Sequence, residues 1–207
     1  YSKGHSGPAL PWTLRDSAHI FTTEAIAMLF GRFATHPAWL RDMKIIDQTE
    51  EKRIRDASFQ QLKLAQLVFS RWAQVMYRFE KGMYDNPTQD LNALWWKLVE
   101  KYQLVPKPEG RNVPDWASKI HIATFPCYYH NYLLGELLAS QLYYTVGKKV
   151  LKEKDWKNLS WAGRPEVGNF LKANVFMPGK KWDWNDMIKK ATGEVLTPKY
   201  YALQFVK

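Results

Sequence analysis

The chain has few cysteines and no long apolar runs, and both absences narrow the class of protein. A single cysteine, Cys127, excludes a disulfide bond within the 207 residues. No run of roughly eighteen apolar residues occurs, so the sequence predicts no transmembrane helix. Internal repeats and low-complexity tracts are also missing, and 46% of the residues are hydrophobic. We therefore expect a globular chain with a substantial core rather than a disordered or membrane-spanning one.

The sequence also lacks an H-E-x-x-H motif, in which two histidines on one helix face bind zinc. Its five histidines are His5, His19, His36, His121 and His130. No two of them stand four residues apart with a glutamate after the first. A zinc site built on that motif is therefore excluded from these residues.

Basic residues are in excess, but their arrangement does not indicate nucleic-acid binding. The formal net charge is +10, yet Lys and Arg are scattered and no RNA-binding or helix-turn-helix signature accompanies them. Most of the ten tryptophans and eleven tyrosines occur at helical spacing among aliphatic residues, as core residues do. We expect no nucleic-acid partner. A basic helical module that binds anionic polymers is an alternative, and salt-sensitive retention on heparin would favour it.

The hydrophobic periodicity predicts a nearly all-α chain, organised as one helical domain over residues 1–207. Residues 1–17 are expected to be irregular. The pattern predicts helices at 20–33, about 50–81, 86–102, 126–146, 165–176, 183–192 and 197–206. Gly82 is predicted to end the long helix, Asn86 to cap the next one, and Pro126 to begin the one after the loop at 106–114. The segment 116–124 alternates as an extended segment does.

Glu24 is a single carboxylate within an otherwise apolar helical pattern. An ionised group in such surroundings is costly unless it is paired or bound to a metal. Its neighbours at helical spacing are Ile20, Phe21, Ala25, Ala27 and Met28. The residue pattern alone favours a structural interpretation, in which Thr22 or Thr23 caps the helix and Glu24 lies in its first turn.

A second group of polar residues occurs within fourteen positions of one another. Lys119 and His121 are two residues apart in the expected extended segment, so they should project from the same face. Tyr129 and Tyr132 are three apart at the start of the next helix and should also share a face. The alternative is two core tyrosines, a solvated lysine and an ordinary histidine.

Both groups resemble segments of the angiotensin-converting-enzyme-like zinc peptidases. From Leu10 to Ala27 a Leu-Pro, a Leu-Arg and a Glu-Ala-Ile follow at the spacing of that family's third-ligand segment. The stretch Lys119-Ile120-His121-Ile122 and the later Tyr-x-x-Tyr match a further pair of its motifs, with one residue inserted before Tyr129. This insertion makes His130 an alternative for a neighbouring role.

The resemblance implies a zinc cofactor, peptide substrates and a role for each matched residue. Glu24 falls on the zinc ligand. Lys119 and Tyr129 fall on the residues that hold the substrate's terminal carboxylate, and His121 and Tyr132 on those that bind the scissile carbonyl and its oxyanion. The implied fold is the C-terminal, mostly helical part of a two-lobed gluzincin peptidase, either a peptidyl-dipeptidase or an oligopeptidase.

The same resemblance leads us to expect that the H-E-x-x-H helix precedes Tyr1. The chain would then be a fragment that is inactive alone, with the N-terminal part of the same protein as its partner. The residues do not indicate a compartment, whereas the resemblance favours a periplasmic or secreted protein.

Departures from the family pattern support one further alternative. Met28 stands where the family often has an aspartate that orients a zinc histidine, which favours an inactive homologue that binds peptides or a partner protein. Asn131 stands where animal enzymes have a chloride-binding arginine. The sequence Tyr132-Leu-Leu-Gly-Glu136 also resembles the oligopeptidase branch, so specificity for a terminal dipeptide is left open.

Overall fold

The computed structural model describes residues 7–206, and these residues form helices, turns and loops with no strand. The α-helices in this range are α1 (Ile20–Gly31), α2 (Pro37–Asp42), α3 (Gln48–Asp85), α4 (Leu91–Gln103), α5 (Ile120–Ala123), α6 (His130–Thr145), α7 (Pro165–Leu171), α8 (Trp184–Thr192) and α9 (Lys199–Phe205). Short 3₁₀ turns occur at Trp12–Leu14, Arg32–Thr35, Asp115–Ser118 and Trp156–Asn158. Single π turns follow α6 at Val146–Val150 and α7 at Lys172–Phe176. The expected all-α class is confirmed.

The chain divides into two compact units. Unit 1 contains the described residues up to Lys63 and those from Leu134 onward, and unit 2 contains residues 64–133. The divisions fall within α3 and within α6. The expectation of one domain over 1–207 stays a prediction, and its first six residues and Lys207 lie outside the described part. No helix among residues 7–206 is long and apolar enough to cross a membrane.

Unit 1 has an apolar core with one buried ion pair. Phe21, Ala25 and Leu29 recur every four residues along α1 and are fully buried, together with Leu138 and Leu142 of α6. The core is extended by Val146, Leu171, Val175, Met187 and Ile188.

The ion pair joins Arg32 to Glu136, and the side chains of both residues are only 7% exposed. The Arg32 guanidinium also donates to Ser140 Oγ and Gln204 Oε1, both at 3.3 Å, and lies over the ring of Phe205. A buried charge requires such partners, so this network ties the end of α1 to α6 and α9.

Unit 2 forms its own core where α3 packs on α4. Val75, Met76 and Phe79 of α3 contact the buried face of α4, and Ile122 of α5 completes the cluster. The prediction that Gly82 ends the long helix is wrong, because α3 continues to Asp85. A Cβ atom at Gly82 would be 3.0 Å from Leu94 Cδ2, so the absence of a side chain there allows the two helices to approach closely.

Two predicted helix starts also differ from the structure. Asp90 caps α4 by accepting a hydrogen bond from Ala93 N–H at 2.9 Å. Asn86 accepts hydrogen bonds from Thr88 instead, and Gln89 donates to the Gly82 carbonyl near the end of α3. The later helix begins at His130 and not at Pro126. In the first case Asp90 supplies the cap four residues after Asn86, so the helix starts later than predicted.

Candidate functional site

Glu24 is the fifth residue of α1 and is partly buried. The helix is capped by His19, whose Nδ1 accepts a hydrogen bond from Phe21 N–H at 3.3 Å. The interpretation in which Thr22 or Thr23 caps the helix is therefore wrong, and Glu24 does not lie in the first turn. Thr22 is buried within the helix, and the Thr23 hydroxyl donates a hydrogen bond to the Ile20 carbonyl. The helix dipole at the first turn therefore does not explain this carboxylate.

The backbone around Glu24 is in close contact with α6. A Cβ atom at Gly135 would lie 3.0 Å from Glu24 Cβ and 3.1 Å from Ala25 N. Because these neighbours belong to the root of a side chain and to the backbone, they cannot move aside cheaply. The glycine therefore fixes how closely α6 approaches α1 beside Glu24.

Glu24 has the chemistry of a metal ligand, but the described chain does not provide a complete metal site. A glutamate oxygen is an ordinary zinc ligand in proteins, usually in combination with histidines. Within residues 7–206 there is no group of three or more His, Cys, Asp or Glu side chains that could hold a metal ion. The residues present fit one ligand of a zinc site.

The segment that carries Lys119 and His121 is helical, so the expectation of an extended segment is wrong. Asp115–Ser118 forms a 3₁₀ turn and Ile120–Ala123 a single turn of α-helix. An extended segment needs a partner strand for its backbone groups, and the described chain offers none. Local bonds satisfy the backbone instead, among them Lys119 N–H to the Trp116 carbonyl at 3.1 Å. Lys119 occupies the position just before α5 and His121 lies inside it, so the Lys119 side chain lies near Trp72 and the His121 ring near Tyr129.

His121 lies among three tyrosine rings. Tyr129 and Tyr132 meet its ring edge to face, with centroids 5.0 and 5.3 Å away, and Tyr128 stacks on it at 6.0 Å. The Tyr129 and Tyr132 rings are 5.1 Å apart, so the expected proximity of this pair is observed although Tyr129 precedes the first residue of α6. Tyr128 is a member of this tyrosine cluster that sequence reasoning missed. Its adjacency to Tyr129 was the only signal.

A polar contact in the cluster joins His121 Nε2 to the Tyr132 hydroxyl at 3.0 Å. A histidine nitrogen can donate or accept in this geometry. When Nε2 carries the proton and donates, the O–H hydrogen of Tyr132 is left for another acceptor, and its donor strength is increased by the bond it receives. In that arrangement the pair can present the Tyr132 O–H to a carbonyl oxygen, and His121 Nε2–H can do so only when it leaves the Tyr132 oxygen.

The Tyr129 phenol is partly buried. Burial raises the pKa of the Tyr129 hydroxyl, hydrogen bonding from Trp72 opposes the rise, and the neighbouring Tyr132 adds to it. The hydroxyl is therefore neutral at physiological pH and can act as a hydrogen-bond donor.

Lys119 lies beside a tryptophan-lined cleft. Its Nζ is 5.5 Å from the centroid of the Trp72 ring, a cation–π distance. The cleft has a volume of about 400 Å³, and Trp95 and Trp96 contribute further walls. We call it the tryptophan cleft.

Glu80 holds the loop that precedes the tyrosines. It is buried, and its carboxylate accepts a hydrogen bond from the backbone N–H of Cys127, whose φ of 56° is left-handed. This bond fixes the chain just before Tyr128. The sequence pattern does not indicate this role, because a glutamate within a long amphipathic helix usually belongs to its solvated face.

Comparison with known structures finds similar folds, and three of the similar chains are described here. A structure described as BsuCP has a TM-score of 0.69 and 20% identity, and the match covers 96% of this chain and 43% of that one. One described as CHT has a TM-score of 0.65 and 20% identity, over 94% and 43% of the two chains. An M32 carboxypeptidase from Deinococcus radiodurans R1 has a TM-score of 0.68 and 16% identity, over 100% and 46%.

At these identities the likeness shows the fold, and the chain spans less than half the length of the three structures. The family is identified by the amino-acid sequence. The model of peptidase family M2, described as angiotensin-converting enzyme, matches residues 8–201. This match includes the Glu24 helix, Lys119 and the tyrosine cluster. The chain therefore belongs to the angiotensin-converting enzyme family of metallopeptidases.

Proposed function

We propose that the chain is the C-terminal part of a zinc-dependent peptidase of the gluzincin type, acting as a peptidyl-dipeptidase or an oligopeptidase. The observation that carries the proposal is the 3.0 Å contact between His121 Nε2 and the Tyr132 hydroxyl in a chain of this family. A paired histidine and tyrosine can donate hydrogen bonds to the negative charge that develops on a scissile carbonyl.

In this proposal Glu24 is a carboxylate ligand of zinc, and the other protein ligands belong to the N-terminal part of the same protein. Bound zinc supplies Lewis acidity, which polarises the scissile carbonyl and lowers the pKa of the attacking water. Gly135 lets α6 pack closely against the backbone and the Cβ atom of Glu24, which places the root of this side chain on a packed helix. A ligand carried by a rigid element is positioned more precisely than one carried by a loop.

The remaining residues act on the peptide. Tyr132 donates its O–H to the oxyanion, and His121 either donates to the Tyr132 oxygen or, when that contact opens in the substrate complex, to the scissile carbonyl. The bond to the oxyanion is made fully only in the transition state and therefore raises kcat. Lys119 attracts the terminal carboxylate as a point charge, and the neutral Tyr129 hydroxyl adds a hydrogen bond. These contacts orient the substrate relative to the donors.

The test uses the full-length protein, because zinc binding requires all of its ligands. Glu24→Gln should lower the zinc content per molecule, measured by elemental analysis, and lower peptidase activity with it, since an amide is a poorer zinc ligand than a carboxylate. The matched control is Glu166→Gln, an exposed glutamate in the first turn of α7, which should change neither value. Unchanged zinc content in the Glu24 variant would reject the assignment and favour an inactive peptide-binding homologue.

A further inference from the structure

The surface around Trp182 in unit 1 combines an exposed indole ring with ammonium groups. Trp182 is 39% exposed and lies two residues before α8. The Nζ atoms of Lys190 and Lys181 are 4.4 and 5.1 Å from the centroid of its ring, which are cation–π distances. Trp182 and Lys190 also border an open cleft of about 470 Å³, together with Asp186, Lys189 and Gly193. We call the face formed by Lys181, Trp182, Lys189 and Lys190 the Trp182 surface.

The core of unit 1 fixes the orientation of this surface. Met187, Ile188 and Ala191 of α8 are buried. Lys189 and Lys190 lie between them in the sequence but are exposed, so the helix has one apolar face in the core and one basic face in solvent. The basic side chains are therefore accessible in the folded chain without any rearrangement.

The lysines of the Trp182 surface are not used within unit 1. Lys181, Lys189 and Lys190 make no ion pair or hydrogen bond with another of the described residues. Residues 180–190 contain four lysines and two aspartates, which is a local charge of +2. A further ammonium group, that of Lys149, donates to the last carbonyl of α8. The surface therefore has a net positive charge, and its N–H donors are available to anionic groups.

A second exposed tryptophan belongs to the adjoining segment of the chain. Lys180 N–H donates to the Leu14 carbonyl at 2.8 Å, so the segment that leads to Trp182 lies against the 3₁₀ turn that contains Trp12. A Cβ atom at Gly179 would overlap the same carbonyl oxygen, so this approach requires glycine. Trp12 is 68% exposed. Two indole rings are thus exposed on adjoining segments beside the lysines.

Exposed tryptophans beside lysines are typical of proteins that bind the surface of an anionic membrane. An indole ring is apolar with one N–H donor, and it is favoured at the boundary between lipid headgroups and acyl chains. Lysines near that boundary are attracted by the negative surface potential of anionic lipids. A sulfated polysaccharide would engage the lysines but would leave the apolar indole surface in water, so the combination favours a lipid surface.

We propose that the Trp182 surface docks on membranes that contain anionic phospholipids, with the Trp182 and Trp12 rings at the level of the headgroups and the lysines on the lipid phosphates. The attachment is peripheral, because it uses side chains of the folded surface. It goes beyond the proposed peptidase function, since the surface contains none of the residues assigned to zinc or to the substrate. Binding should rise with the anionic lipid content and fall as salt screens the lysines.

Vesicle flotation with the full-length protein tests the proposal, because any part of the surface that the rest of the protein covers is then already covered. The protein should bind vesicles made from an equal mixture of phosphatidylcholine and phosphatidylserine, and it should not bind vesicles of phosphatidylcholine alone. Equal binding to both compositions, or binding to neither, would overturn the proposal. Binding by the 207-residue chain but not by the full-length protein would also overturn it, since the surface would then be an internal interface.

A double variant identifies the charges responsible. Lys189→Gln combined with Lys190→Gln should lower the partition coefficient on the mixed vesicles by at least about tenfold. The matched control is Lys52→Gln combined with Lys97→Gln, which removes the same charge from two exposed lysines of α3 and α4. The control should bind like the unmodified protein. An equal loss in both double variants would show that net charge and not this surface is responsible, which contradicts the proposal.

A third variant separates lipid from other anionic partners. Trp182→Ser leaves the charge unchanged, and it should weaken binding to the mixed vesicles without changing the salt at which the protein elutes from heparin. Full vesicle binding by this variant would show that the indole ring does not contact lipid. Retention on heparin by an unmodified protein that does not bind the mixed vesicles would identify a site for anionic polymers and reject the membrane assignment.

Discussion

The Tyr132 hydroxyl is the single group whose removal best separates chemistry from binding. In the full-length protein Tyr132→Phe removes the donor next to His121 Nε2 and keeps the ring packing against Tyr129. We expect kcat to fall by roughly 10²–10³-fold, as for other oxyanion donors, with KM and zinc content nearly unchanged. Steady-state kinetics with a peptide substrate and metal analysis give both values.

Tyr128→Phe is the matched control, because Tyr128 stacks on the same histidine ring but is not the tyrosine within 3.0 Å of Nε2. It should keep most of kcat. Full kcat in the Tyr132 variant would show that this hydroxyl is not an oxyanion donor.

The residues of this region were easier to predict than their orientation. The motif identifies Lys119, His121, Tyr129 and Tyr132. The two tyrosines were expected on one helix face, and their rings lie 5.1 Å apart although Tyr129 precedes α6. The shared face of Lys119 and His121 was derived from alternation, which describes a strand. Alternation fails to predict the conformation when no neighbouring strand exists to bind the backbone, and the roles of all four residues stay predictions.

Glu80 shows a different limit. Its contact partner is a backbone N–H 47 residues away, and no sequence pattern specifies a bond between a side chain and a distant backbone group. Only the fold reveals that this glutamate is buried.

At the scale of the elements, the approach of α1 and α6 gives a prediction for Gly135. Gly135→Ala places a methyl group 3.0–3.1 Å from Glu24 Cβ and Ala25 N, so one helix must shift. We expect the free energy of unfolding of unit 1 to fall by about 1–3 kcal/mol, the usual effect of overpacking. Chemical denaturation with a probe in unit 1 measures the change.

The matched control is Gly168→Ala within α7. Nothing lies within 4 Å of a Cβ atom at that position. Alanine is favoured over glycine in a helix by roughly 0.5–1 kcal/mol, so this variant should be equal to or more stable than the unmodified chain. A stabilised Gly135 variant would contradict the close approach of the two helices.

The start of α2 predicts a pH dependence. His36 caps this helix by accepting from Trp39 N–H through Nδ1, and burial lowers the pKa of its imidazole, with a hydrogen bond to the Lys157 carbonyl acting in the opposite sense. The unfolded chain takes up a proton at about pH 6.5, whereas the folded chain does so only at lower pH. The unfolded state therefore binds more protons in this window, and stability is lost as the pH falls below about 6.5.

His36→Asn isolates this contribution, because asparagine can cap a helix but does not titrate in this range. Denaturation at about pH 7.5 and about pH 5.5 should show a smaller loss of stability for the variant than for the unmodified chain. Equal losses would show that other groups cause the acid sensitivity.

Helices are predicted best where the apolar pattern extends over many residues, and helix ends are predicted least well. The 38-residue helix α3 was expected at about 50–81 and extends over Gln48–Asp85. Gly82 lies inside α3, with the tip of the Leu94 side chain 3.0 Å from where its Cβ atom would be. A glycine inside a helix cannot be distinguished from a capping glycine in one sequence.

For the whole molecule, we expect that the 207-residue chain alone hydrolyses no peptide and binds zinc weakly. A catalytic zinc site usually takes three protein ligands, whereas residues 7–206 contain no group of three candidate ligands. Zinc titration of the purified chain should give an affinity far below that of the full-length protein, and peptide assays should give no turnover. Measurable turnover by the pure chain would reject the proposed division of the ligands.

Cys127 has a practical consequence for experiments on this protein. It is the one cysteine in the sequence, and it is exposed at the left-handed turn that Glu80 holds before the tyrosine cluster. A thiol-reactive fluorophore or spin label would therefore attach at one position of this chain without any prior mutagenesis. The label would lie one residue before Tyr128, where it could serve as a spectroscopic reporter of peptide arrival next to His121.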